Sequence, residues 1–182
     1  SATRIATRYD SLGRTIEVND PDVGVWRYGY DRVGNLRRVE DPERRQHVQY
    51  CYDGLDRPQR RYVFRDQDFA DGGDACAGTR VADVAYQYDA PEVEFGVGRL
   101  TRVDDRSGTT WFTRYDAHGR TLATVRELRV GAAIERAEMR RRFDRSGHLR
   151  ELVYPDGETV SYGYDEAGNL QSLRSHDGTV YL

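Results

Sequence analysis

Apolar and aromatic residues alternate with polar ones along most of the chain, as in Val48, Tyr50, Tyr52 and in Val160, Tyr162, Tyr164. A period of two places such side chains on one face of a β-strand. The alternating runs are short and are bounded by Asp, Gly, Asn and Pro, which predicts hairpins. One stretch conflicts with this reading. Arg126 to Arg142, with Ala132, Ala133, Ile134, Ala137 and Met139, is rich in helix formers. The tip sequences on either side, Tyr115-Asp116 and Phe143-Asp144, demand a hairpin arm between them, so two strands are expected over 121–143 with Gly131 near their turn.

The bounding residues are themselves a repeat, and a repeat decides the fold before any other feature. Tyr-Asp occurs at Tyr9-Asp10, Tyr30-Asp31, Tyr52-Asp53, Tyr88-Asp89, Tyr115-Asp116 and Tyr164-Asp165, and Phe143-Asp144 is a seventh copy. Four copies carry a second tyrosine two residues earlier: Tyr28, Tyr50, Tyr86 and Tyr162. Four residues after the Tyr (or Phe) stand Gly13, Gly34, Gly119, Gly147 and Gly168; Asp56 takes the place once, and an insertion delays it to Gly98. Arg, Asn or His follows, and Leu36, Leu100, Leu149 and Leu170 come next.

Each part has a physical reason. Asp at the start of a tight turn can accept a backbone N–H. Gly at the fourth place suits the left-handed residue of a type I turn with a G1 bulge, and Asp tolerates that conformation better than most residues. Asp-x-x-Gly is therefore a hairpin tip. Pro155-Asp156-Gly157, Asp177-Gly178, Ser107-Gly108 and Asn19-Asp20-Pro21-Asp22 close the opposite ends. Successive motif aromatics are separated by 21, 22, 36, 27, 28 and 21 residues. The interval 62–84, with Asp66, Asp68, Asp71, Asp74 and Cys76, is the main insertion and reads as an exposed loop.

Tyr-x-Tyr-Asp-x-x-Gly-[Arg/Asn]-Leu at this period, with Pro-Asp-Gly turns between, resembles the YD repeat of bacterial Rhs proteins. It is also similar to the repeats of toxin-complex C components, wall-associated Rhs-like proteins and teneurins. The resemblance covers residues 1–182 as one array of about seven motifs; the insertion near 62–84 stands outside it. It implies an all-β fold of tandem antiparallel hairpins in a curved or spiralling sheet, a partial shell. It further implies a non-catalytic wall around a C-terminal toxin, in a secreted or bacterial cell-surface protein used in interbacterial competition. The partners would be the remaining repeats of the shell and the enclosed toxin. The family's core motif with its aspartyl self-cleavage site is not found; Asp41-Pro42 and Asp20-Pro21 read as turn dipeptides. The next motif Tyr is expected just past Leu182, so the chain reads as a fragment of a longer protein. An alternative function, suggested by the teneurin-like repeats, is adhesion to a glycan or cell-surface protein through exposed Arg and Tyr rows.

Composition then changes meaning. Only 37% of the residues are hydrophobic and 32% are charged, with a mean hydropathy of −0.85, figures that alone would suggest disorder. Ten of the 13 tyrosines belong to the motif, so tyrosine is the packing residue. No apolar run approaches the ~20 residues of a membrane span. All 28 basic residues are arginines set among 31 acids, which gives no basic field to attract nucleic acid. Arg14, Arg57, Arg99 and Arg120 recur beside the tip position and are expected to stack on rings or bridge to motif carboxylates. Arg140-Arg141-Arg142 reads as a solvated face. His47, His118, His148 and His176 lack zinc-ligand spacing and read as solvated turn residues. The four loop aspartates do not follow the EF-hand calcium pattern. No phosphate loop is present, and no cofactor is expected. Cys51, between Tyr50 and Tyr52, faces away from those rings and lacks a nucleophile signature; with Cys76 it forms either one bridge or, the preferred reading, two small buried thiols.

Overall fold

The computed structural model describes residues 4–41, 43–65, 68 and 73–181. Among them are fourteen β-strands and no α-helix. The strands are β1 (Ala6–Tyr9), β2 (Thr15–Asp20), β3 (Gly24–Tyr30), β4 (Leu36–Asp41), β5 (Gln46–Tyr52), β6 (Pro58–Arg65) and β7 (Val84–Tyr88). They continue as β8 (Leu100–Asp105), β9 (Gly108–Tyr115), β10 (Thr121–Val130), β11 (Ala133–Phe143), β12 (Leu149–Val153), β13 (Thr159–Tyr164) and β14 (Leu170–Ser175). Each strand is hydrogen-bonded to the next in chain order, so the fold is all-β and built of tandem antiparallel hairpins. The chain divides into two compact units, Ser1–Ala85 and Tyr86–Leu182.

In the first unit an apolar row crosses four strands: Tyr28 opposite Val39, Val39 opposite Val48, and Val48 opposite Val63. The other face of β5 carries His47, Gln49 and Cys51, all buried, beside Tyr62 and Phe64 of β6. That burial corrects three expectations. The insertion does not begin as an exposed loop, because residues 62–65 complete β6 and Tyr62 and Phe64 are 0% and 1% exposed. Further along, Ala75 and Asp83 are buried too, and Asp83 accepts the Val63 amide at 2.7 Å. Second, the thiols are not free: Cys51 and Cys76 form a disulfide across a separation of 25 residues. Segment 73–80 lies over the Cys51 face, which brings their Cα atoms to 5.7 Å, within bonding range. Third, His47 is not a solvated turn residue. It lies within β5 and stacks on Phe64 at 4.3 Å between ring centroids.

In the second unit, β10 and β11 pair from Ala123–Arg140 to Val130–Ala133. The hairpin context overrides the helix propensity of these residues, because each strand has a partner on both sides. Arg140 and Arg142 are exposed on β11 and pair with Glu138 and Glu151. No helix of the described residues is long and apolar enough to cross a membrane.

Candidate functional site

The seven motif tips share one closing bond. The amide of each motif Asp donates to the carbonyl of the residue after the tip Gly: Asp10 to Arg14, Asp31 to Asn35, Asp53 to Arg57, Asp89 to Arg99, Asp116 to Arg120, Asp144 to His148 and Asp165 to Asn169, at 2.9–3.1 Å. The Asp carboxylate returns the favour. Asp10 Oδ1 accepts the Leu12 and Arg14 amides at 2.9 Å, and Asp53 and Asp116 accept equivalent pairs. Asp31, Asp144 and Asp165 each accept the amide four residues on. In the fourth tip Gly98 stands nine residues after Asp89, yet its amide still donates to Asp89 Oδ1. The inserted residues therefore leave the turn closed, and Glu94 among them bridges to Arg114 of β9. The tip residue is left-handed at Gly13 (φ 78°) and Gly168 (φ 84°), and Asp56 adopts the same conformation at φ 60°. The ladder slips at the motif aromatic at Tyr9, Tyr30, Tyr52, Tyr115, Phe143 and Tyr164.

The tips also engage one another. Arg14 of the first tip clamps its own Asp10 at 2.7 Å and lies over the ring of Tyr30 in the second, 4.6 Å from its centroid. Arg120 repeats this with Asp116 and Phe143, and Arg99 lies over Tyr115. His148 stacks on Tyr164 at 4.7 Å. Asn35 reaches instead to Asp56, whose carboxylate accepts its amide at 2.9 Å. The motif hydroxyl points the opposite way. Tyr30, Tyr52, Tyr115 and Tyr164 donate to the carbonyls of Thr15, Leu36, Leu100 and Leu149, each two residues past the preceding tip position. Within each unit, then, every contact of this kind joins a tip to its neighbour. Tyr28, Tyr50, Tyr86 and Tyr162 are half-buried in β3, β5, β7 and β13. Tyr9 is 61% exposed on β1, which among the described residues pairs only with β2. The sequence reading placed the tyrosines as ring packing but missed the directed hydroxyl bond, which only the constant offset from the tip position could have revealed.

Phe143 breaks the hydroxyl series, since it has none to offer Thr121, the residue at the matching offset. Phe143→Tyr is expected to raise the stability of the second unit by about 0.5–1.5 kcal/mol, the net value of one hydrogen bond. A urea melt showing no gain would mean that the ring sits differently at this tip.

The clamps hold the carboxyls of Asp10, Asp31, Asp53, Asp116, Asp144 and Asp165 below the usual carboxylate range. For Asp10 and Asp53 the leading cause is the backbone N–H four residues on, and for Asp165 it is the Asn169 side chain. At Asp31, Asp116 and Asp144 desolvation pushes upward, and the backbone and side-chain donors outweigh it. A depressed folded value stabilises the fold above the unfolded carboxyl pKa of ~4, and that contribution is lost as pH falls through the folded values. The melting temperature is expected to be insensitive to these groups above about pH 5 and to fall progressively below about pH 4. A melting temperature that rose on acidification would contradict the clamps.

The other candidate groups are dispersed. Among the described residues no cluster of three or more His, Cys, Asp or Glu could hold a metal ion. Of the loop aspartates, Asp66 and Asp71 lie outside the described residues; Asp68 pairs with Arg80 and Asp74 with Arg37. His118 and His176 are exposed at turns. Cys51 is bonded to Cys76 and has no thiol to act as a nucleophile.

The sequence matches the RHS repeat family at residues 9–46 and 143–180. A comparison with curated proteins gives no match. Among solved structures, the chain superposes on the crystal structure of TcdB2-TccC3 with a TM-score of 0.77 at 14% identity, over 97% of this chain. The same complex without a hypervariable C-terminal region gives 0.77 at 14% identity and 97% coverage. The Photorhabdus luminescens Tc holotoxin pore gives 0.76 at 14% identity over 98%. At this identity the likeness is one of fold. The match spans 9% of the length of each of those chains.

Proposed function

We propose, from the membership of this chain in the RHS (YD) repeat family, that it is a structural wall segment and that its tips serve assembly rather than catalysis. In this reading it forms part of a shell around a C-terminal toxin, in a secreted or surface-displayed protein. The observation that carries it is the run of tip-to-tip contacts. Arg14 and Arg120 lay their guanidinium faces, His148 its ring and Asn35 its amide on the neighbouring tip, and the motif hydroxyls do the same in reverse. Such an array gains stability only from its neighbours, which suits extension and does not suit a pocket. The TcdB2-TccC3 complex solved without its hypervariable C-terminal region offers the analogy for a wall separable from its contents. The adhesion reading is weakened by the same contacts, because the arginines it would use on a glycan already hold rings and carboxylates.

Limited proteolysis of the full reading frame with a protease of broad specificity tests the proposal. The segment downstream of the repeats is expected to survive while the fold is intact and to be digested once it is denatured. Rapid loss of that segment from a folded array would overturn the wall reading.

A further inference from the structure

We infer that the Cys51–Cys76 disulfide is a reductively releasable latch, holding segment 73–80 over the aromatic face of β5 and β6 in oxidising surroundings and freeing it in reducing ones. The two sides of this contact are unequal. The sheet supplies large, fully buried side chains, Tyr62 and Phe64, with His47 stacked on Phe64. The cover is Gly73-Asp74-Ala75-Cys76-Ala77-Gly78-Thr79-Arg80, whose buried contribution to the cluster is Ala75 with partly buried Cys76. The segment's own side chains add little hydrophobic free energy beyond the cover they give Tyr62 and Phe64, against the entropy of ordering it.

The non-covalent ties are correspondingly modest. The Gln49 side chain donates to the Gly73 carbonyl and accepts the Ala75 amide, both at 3.0 Å. Arg60 donates to the Cys76 carbonyl at 3.2 Å, and Arg80 lies over the Phe64 ring at 4.4 Å. The Arg37–Asp74 pair is exposed on both sides and contributes little. The covalent bond is thus the main restraint on the cover, whereas the β5–β6 ladder beneath has its own continuous pairing from Gln46–Arg65 to Tyr52–Pro58.

Release is ordinary thiol–disulfide exchange with a thiol reductant. The reductant thiolate attacks Sγ of Cys76, the less buried of the two residues; the S–S bond breaks, and Cys51 leaves with the electron pair and takes a proton. A second thiol then displaces Cys76 from the mixed disulfide. The protein gains two thiols, and the reductant is oxidised to its disulfide.

Hydrogen exchange on the folded chain, before and after dithiothreitol, tests the latch, with complete reduction verified by a gain of two hydrogens in mass. Amides of segment 73–80, Ala75 above all, are expected to exchange about tenfold faster or more after reduction. The tip amides of Asp31 and Asp53, which donate within β-hairpin turns of the same unit, should keep their protection. Cys76→Ser without reductant should give the same selective loss. Unchanged protection of 73–80 after full reduction would overturn the latch. So would loss of protection at Asp31 and Asp53 together with 73–80, since the bridge would then staple the whole unit. Resistance of the bridge to dithiothreitol in the folded protein would overturn it as well.

Discussion

Phe64→Ala is expected to lower the stability of the first unit by about 3–5 kcal/mol, the range for deleting a fully buried aromatic ring. Phe64 sits on β6, with β5 and β7 on either side, and is 1% exposed. Its ring meets His47 nearly parallel, at 14°, on one side and the Arg80 guanidinium on the other. The buried cluster around it is small, comprising Cys51, Tyr62 and Ala75. No large neighbour there is free to move into the space, because Cys51 is covalently held and Tyr62 is itself wholly buried. The cavity therefore stays open and its full cost is felt. Trp26 lies in this unit and Trp111 in the other, so a Trp111→Phe background makes fluorescence a reporter of the first unit alone. A loss below about 1 kcal/mol would show that the cover does not make a core. Tyr9→Ala is the matching control: its ring is largely exposed, and a change within about 0.5 kcal/mol is expected.

The contrast between those two aromatics explains what was legible in the sequence. The tips were readable because their chemistry is local. Asp53 needs only Leu55 and Arg57 to complete its turn, so the requirement is written within five residues and recurs with the period of the fold. The same logic carried residues 121–143, where two flanking tips outweighed the helix formers between them. The cover was not readable, because what buries Gln49 and Cys51 comes from more than twenty residues away, and the Phe64 ring on His47 comes from the next strand. Alternation in β5 was plain, but two of those three side chains are polar, and polar residues on one side of a strand normally indicate solvent. Segment 73–80 reverses that meaning by bringing Gly73 O and the Ala75 amide to Gln49 and a sulfur to Cys51. The tip-to-tip contacts fall between these cases. Arg stacking was foreseeable from the spacing of Arg14 and Arg120, whereas the pairing of Asn35 with Asp56 needed the tips in register. Asp56 is thus more than a tolerated stand-in for glycine, since its carboxylate is used by the preceding tip.

Gly108→Val is the corresponding test in the second unit, with an expected loss of about 3 kcal/mol or more. Gly108 follows the short turn that joins β8 to β9, with Asp105 opposite it. Asp105 fixes that turn by accepting the Ser107 and Gly108 amides at 2.8 and 3.1 Å while Arg126 holds its carboxylate at 2.9 Å. Two penalties then add. The backbone stands at φ 153°, which side-chain-bearing residues rarely adopt, and a Cβ built there falls on the carbonyl oxygen of Glu127. Glu127 belongs to β10, which is paired on both sides with β9 and β11, so its carbonyl cannot recede without parting a ladder. Gly157→Ala separates the two penalties. Gly157 is also left-handed, at φ 91°, but nothing lies within 4 Å of its would-be Cβ, so only the conformational strain of about 1–3 kcal/mol applies. Trp111 stands opposite Val125 in the same β9–β10 ladder and reports its loss directly. If the two substitutions proved equally costly in urea melts followed at Trp111, the close approach of Gly108 to β10 would carry no weight and the φ angle alone would explain both.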